Sequence, residues 1–240
     1  MEMSRRIDFN FKNYNCFVFD CDGVVLNSNS CKTEAFRAAA LPWGEAAAEE
    51  LVAHHVANGG VSRYEKFRHL IEEILPRVAP QSIPGRDGPD FESMLETYAE
   101  AAREGLLTCA IADGLQELRV AAPQQRWMII SGGDQTELRA IFEQRGLAKL
   151  FDGGIFGSPD PKKSILEREI KLGTIRRPAL FLGDSRLDHE AASEHDLDFL
   201  FVSKWTDFAG WEDYFASRHV DVIPTISTLL TTSPGHRGRI

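Results

Sequence analysis

The chain has 240 residues, 43% hydrophobic and 26% charged, with 27 Lys and Arg against 36 Asp and Glu, giving a formal net charge of −9. That is enough apolar material for one sizeable α/β core, or for a moderate core plus a small second module, and it argues against wholesale disorder. The acidic balance argues against a general nucleic-acid-binding surface, yet it permits an anionic substrate in a cleft dominated by a metal and a few cations.

Met1 to Lys12 are mixed polar and charged, without the apolar stretch of an export signal, and no apolar run reaches membrane-spanning length. Cys16, Cys21, Cys31 and Cys109 form no CxxC pair and lack a matching set of histidines. They read as free thiols, so the expectation is a cytoplasmic protein away from membranes, acting as a monomer or homodimer.

The first strand candidate is CFVFDCDGVV from Cys16, an almost continuous apolar run of the kind buried on both faces of a parallel sheet. From Ser28 to Thr108 there are helical patterns and no convincing strand. EAAAEELVAHHVANGG stops at Gly59 and Gly60, and SRYEKFRHLIEEIL opens with Ser62 and Glu65 spaced as a capping box. The loop PQSIPGRDGP then leads into FESMLETYAEAAREG. Residues 28–108 are therefore expected to form a helical domain inserted into a core built from 1–27 and 109–240. Beyond the insert, RWMIISGG, the weaker LFDGGIFGS, ALFLGDS and DFLFVSKW read as strands, separated by helix patterns such as QTELRAIFEQRG and KKSILEREIKLG. This alternation predicts a Rossmann-like, doubly wound parallel α/β sheet. The tail TSPGHRGRI is expected to fray.

Ligands of open α/β sheets bind beyond the carboxyl ends of the strands, and that is where the polar residues fall. Asp20, Asp22 and Gly23 follow the first strand, Ser131, Gly132 and Gly133 follow the second strong one, and Gly183, Asp184, Ser185 and Asp188 follow ALFL. Carboxylates converging on one rim repel each other unless a cation sits among them, and an oxygen-rich site suits Mg²⁺. A carboxylate held ionised by metal and lysine can attack phosphorus.

FDCDGVV, ISGG, a lysine before a helix, and GDSRLD, in that order, resemble the four successive motifs of the haloacid dehalogenase superfamily, and the helical insert resembles its cap. The resemblance implies a small-molecule phosphate ester as substrate, Asp20 as nucleophile and Mg²⁺ ligand, and Asp22 as acid and base, binding the metal through its backbone carbonyl. It further implies Ser131 and the Gly132 N–H as phosphate contacts, Lys162 as partner of Asp20 and the phosphate, Asp184 as a direct metal ligand, and Asp188 close behind it. Lys162 and Lys163 are adjacent, so only one can point inward; the resemblance implies Lys162, whose spacing to Ile165 and Leu166 is the more similar to that of related sequences. Asp22, absent from dehalogenases and phosphonate-cleaving relatives, favours phosphate-ester chemistry, with a phosphomutase of the β-phosphoglucomutase type as the alternative. A phospho-acceptor switch and a catalytically dead binding protein are more distant rivals.

Arg63 and Lys66 follow Ser62 in the first turn of a helix, where the dipole disfavours cations, so these three residues are expected to meet an anionic substrate. The plainer readings stand beside this: Ser62 as a helix cap, Arg63 and Lys66 as surface residues, His54 and His55 as one helix face, His189 and His195 as packing, and Cys21 as core.

Overall fold

The computed structural model describes residues 10–88 and 90–231; the expected fraying of the tail lies outside them. Six strands, β1 (Cys16–Phe19), β2 (Arg126–Asp134), β3 (Gly154–Ser158), β4 (Ala179–Gly183), β5 (Asp198–Val202) and β6 (Asp221–Ile223), form one sheet in the order β3-β2-β1-β4-β5-β6. Every pairing is parallel. This is the doubly wound arrangement, and β1 sits at the point where the strand order reverses.

The side chains of β1 show why this sheet is buried on both faces. Phe17 and Phe19 join Trp127, Ile129, Leu180 and Leu182 in one apolar cluster, while Cys16 and Val18 join Met128, Ile130 and Phe181 in another. Alternate residues supply opposite faces, as the pleat requires. Cys21 belongs to the first cluster.

Over residues 28–108, after β1, the described residues form helices α1 (Asn29–Ala40), α2 (Glu45–Ala57), α3 (Arg63–His69), α4 (Leu75–Val78) and α5 (Phe91–Thr108). The single helix expected over SRYEKFRHLIEEIL is divided: a π-helical turn at Leu70–Ile74 separates α3 from α4, just ahead of Pro76, which has no amide proton to donate. Ser62 caps α3 by accepting the Glu65 N–H at 3.3 Å, but the Glu65 carboxylate turns one helical step onward to Arg68, so only half of the expected capping box is found. On α5, Met94, Tyr98, Ala102 and Leu106 recur every fourth residue and are buried. They share the Phe17 cluster with Phe36, Leu51 and Phe67, so the helices pack on the sheet through continuous apolar contact.

The remaining helices are α6 (Leu115–Ala121), α7 (Gln135–Gln144), α8 (Lys162–Lys171), α9 (Arg186–Glu194), α10 (Trp211–Ala216) and α11 (Thr228–Thr231). On α8, Lys162, Ile165, Leu166 and Glu169 form the buried stripe. That spacing of three and four residues carries Lys162 inward and turns Lys163 out to pair with Glu194. Two sequence expectations change. β2 runs through Gly132 and Gly133 to Asp134 rather than ending before them, and the edge strand β6, three residues long, had no apolar run to announce it.

Candidate active site

Asp20 directly follows β1, and its N–H donates to the Leu182 carbonyl of β4 at 2.9 Å, which sets the end of β1 beside Gly183 and Asp184. The Lys162 ammonium lies 2.7 Å from Asp20 Oδ2 and 2.6 Å from Asp188 Oδ1. Asp188 is held from behind: its Oδ2 accepts the Ser185 hydroxyl at 2.6 Å and the Ser185 N–H at 3.2 Å, in a capping box that opens α9. Asp184 completes the group, receives the Asn29 amide at 3.4 Å on Oδ2, and has its backbone carbonyl bonded by Thr206. Gly23, with φ +72°, is required here, because a Cβ at that position would stand 2.0 Å from Asp184 Oδ2.

One carboxylate oxygen each from Asp20, Asp184 and Asp188 lie within 4.8 Å of one another, and all three residues are buried. Three carboxylates face a single ammonium. Burial, then Asp188, push the Asp20 carboxyl up to about 7, and burial with Asp20 and Asp188 lifts Asp184 well above the usual carboxylate range. Burial works against the Lys162 charge, but Asp188 and Asp20 outweigh it and keep the ammonium protonated. The excess of negative charge and the all-oxygen donor set fit a hard divalent cation.

A stability prediction follows. A carboxyl whose folded-state pKa is raised binds more protons folded than unfolded, so stability falls as pH climbs from the unfolded pKa near 4 to about 7. A bound cation keeps the carboxylates ionised and removes that loss. The rise in Tm on replacing chelator with Mg²⁺ is therefore expected to be small at pH 5 and largest above pH 7. Thermal denaturation across that range tests it, and a Mg²⁺ effect that is absent or equal at all pH values would refute it.

The Asp22 carboxylate turns toward the start of α1, taking the Ser28 hydroxyl on Oδ1 and the Lys32 ammonium on Oδ2, each at 2.5 Å. Burial alone would raise its pKa, but Lys32 and Ser28 outweigh burial and hold it below the ordinary value. Ser28, Asn29 and Lys32 were not singled out in the sequence. The only available signal was their closeness in the chain to the DxDG run.

Ser131 is fully buried near the end of β2, and its Oγ accepts the Gly133 N–H at 3.0 Å. Gly132 admits a close neighbour: a Cβ there would stand 2.2 Å from the Gly60 carbonyl. A Cβ at Gly60 would in turn lie 3.1 Å from Ser185 Oγ and 3.4 Å from Lys162 Nζ. The turn after α2 thus lies over the acidic cluster.

Between sheet rim and helices is a cavity of about 370 Å³, lined by Asp20, Asp22 and Asp184 together with Lys32, His55 and Lys66. Ser62 is not among its lining residues, since its hydroxyl serves the α3 cap. Arg63 lines the cavity but is engaged by Glu137 of α7, with its guanidinium over the Tyr98 ring at 4.3 Å. Lys66 is only 2% exposed and lies 2.7 Å from His55 Nδ1. His54 stacks on His69, and His189 packs edge-on against Phe199, Tyr214 and Phe215. His195 bonds the Ala191 carbonyl at 2.8 Å through Nδ1.

Asp20, Asp184 and Asp188 gather beside Lys162 at the carboxyl end of a parallel α/β sheet, and the sequence profile of the haloacid dehalogenase-like hydrolases matches residues 14–196. The chain belongs to this family. No curated protein sequence matches it. Among solved structures it is similar to a Lactobacillus plantarum protein assigned as a phosphoglycolate phosphatase (TM-score 0.67, 16% identity, 92% of this chain and 100% of that one). It is also similar to β-phosphoglucomutase from Clostridium difficile (TM-score 0.64, 16% identity, 90% and 92%). A third is a haloacid dehalogenase-like hydrolase from Streptococcus pneumoniae (TM-score 0.63, 15% identity, 93% and 100%). At these identities the likeness describes the fold.

Proposed function

We propose that the chain is a Mg²⁺-dependent phosphatase that hydrolyses a small phosphorylated metabolite through an aspartyl-phosphate on Asp20, with residues 28–108 acting as its cap. The observation that carries this reading is the Lys162 ammonium shared between Asp20 and Asp188 beside Asp184, at the carboxyl end of the sheet. Asp20, Asp184, Asp188 and the Asp22 backbone carbonyl would hold the metal, which when bound offsets the negative charge shared by phosphate and carboxylates.

In this reading Asp20 attacks phosphorus, the bond from phosphorus to the ester oxygen breaks, and that oxygen leaves with the electron pair. Protonated Asp22 supplies the proton to the leaving alcohol. The resulting Asp22 carboxylate then takes a proton from water, which attacks phosphorus and frees Asp20. Lys162 and the Gly132 N–H neutralise and orient phosphate oxygens, with Ser131 beside them. Ser28 and Lys32 hold Asp22 below the ordinary carboxylate range, which favours the ionised form that the second half needs. The turn at Asn58–Val61 covers the cluster and limits water access. The four cysteines are free, which supports a reducing, cytoplasmic setting.

The test is phosphate release from a panel of phosphorylated metabolites. Release that appears with Mg²⁺ and disappears with chelator is the expected result. Isomer formation without net phosphate release would show a mutase, and no reaction with any ester would overturn the proposal.

A further inference from the structure

Among the described residues, the cavity has one cation without a carboxylate at ion-pair distance. Of the basic side chains that line it, Lys32 is 2.5 Å from Asp22, Arg63 is held by Glu137, and Arg186 is 2.7 Å from Glu190. Lys162, beneath the acidic cluster, is shared by Asp20 and Asp188. Lys66 alone among them has no carboxylate within ion-pair distance among the described residues. Its Nζ has His55 Nδ1 at 2.7 Å, a long contact to the His55 carbonyl at 3.5 Å, and the face of Phe36 at 5.3 Å.

A buried, unpaired ammonium is costly, and proteins seldom keep one unless a ligand or a pKa shift relieves it. Its surroundings are arranged to use the charge. Burial and the neighbouring cations Lys66 and Lys32 push His55 down to about 3, so its ring is neutral and its Nδ1 accepts from Lys66. That leaves other Lys66 donors for the cavity. Burial, then Lys32, lower Lys66 itself to about 7, a shift that a bound anion would reverse.

We propose that Lys66, oriented by His55, binds a carboxylate of the substrate, so that the substrate is a phosphorylated carboxylic acid with phosphate at Asp20 and carboxylate under α3. This deepens the phosphatase reading and rests on it for the position of the phosphate. A carboxylate is the better match than a second phosphate, because the subsite offers one uncompensated positive charge and an apolar wall of Phe36. A phosphate monoester carries about −1.5 to −2 and draws several donors.

The test is calorimetric binding to Asp20→Asn protein in Mg²⁺, using probes that differ only in the acid. These are 3-phosphoglycerate against glycerol 3-phosphate, and 6-phosphogluconate against sorbitol 6-phosphate. A charge-assisted contact predicts that the acid of at least one pair binds roughly 10- to 100-fold more tightly. Adding Lys66→Met should abolish the difference, while Lys66→Arg should retain part of it. The acid–alcohol comparison does not depend on either Lys66 variant folding. Equal binding within both pairs, no binding of either acid, a preference that survives Lys66→Met, or tighter binding of fructose 1,6-bisphosphate than of either acid would each overturn the proposal. Wild-type phosphate release is scored separately. Turnover without acid preference defeats only the carboxylate subsite, and acid-selective binding without turnover defeats only the phosphatase reading.

Discussion

Replacing Asp20 with Asn is expected to abolish phosphate release, lowering kcat by on the order of 10⁴-fold or more, while the protein stays folded. In the proposed mechanism a carboxylate oxygen of Asp20 forms the bond to phosphorus, and the neighbouring acids among the described residues are otherwise placed. Asp188 is tied to Lys162 and to the Ser185 cap, Asp184 sits at the end of a different strand, and Asp22 faces Ser28 and Lys32. The fold should tolerate the change. Asn is nearly isosteric, and the mutation removes one of three buried, mutually repelling carboxylates. In chelator at pH 8 the variant should therefore melt at or above the wild-type temperature. Residual activity within tenfold of wild type would show that Asp20 is not the nucleophile. Loss of activity with loss of fold would show a structural role.

Asp22→Asn should lower turnover of an alkyl phosphate by about 10²- to 10⁴-fold, the usual range for general acid–base catalysis. With p-nitrophenyl phosphate, whose leaving group needs no proton, the first half should proceed and the second should stall. The expected signature is a burst of nitrophenol stoichiometric with enzyme, accompanied by phosphoprotein that hydroxylamine discharges. Equal losses for alkyl and aryl substrates with no burst would remove Asp22 from both proton transfers. The Lys32 ammonium matters to this result because it holds Asp22 ionised. That favours abstraction of a proton from water and opposes the acid step, so the acid form requires Lys32 to move or to share its proton.

Much of the molecule was legible in the chain. A strand buried on both faces must be apolar throughout, so β1, β2, β4 and β5 announced themselves, and the polar residues closing those runs had to lie on one rim of a parallel sheet. The preference for Lys162 over Lys163 rests on the likeness of its spacing to Ile165 and Leu166 to that of related sequences, and in the structure Lys162 shares the buried stripe of α8 with Ile165, Leu166 and Glu169. Elements with little apolar content were harder: β6 is short and at the edge, and the division of the α3–α4 stretch depends on local backbone geometry around Pro76.

What the sequence by itself determined was the fold class and the residues at the strand ends, because periodicity and strand termination are local properties of a chain. Pairings between distant residues were decided only by the tertiary structure. Arg63 and Lys66, three residues apart on one helix, looked equivalent in sequence. Packing against α7 gives Arg63 the Glu137 carboxylate, whereas Lys66 is buried against His55 and Phe36 with no carboxylate within ion-pair distance among the described residues. The charge state of a cavity depends on which side chains meet across it, and that is set by how the helices dock on the sheet.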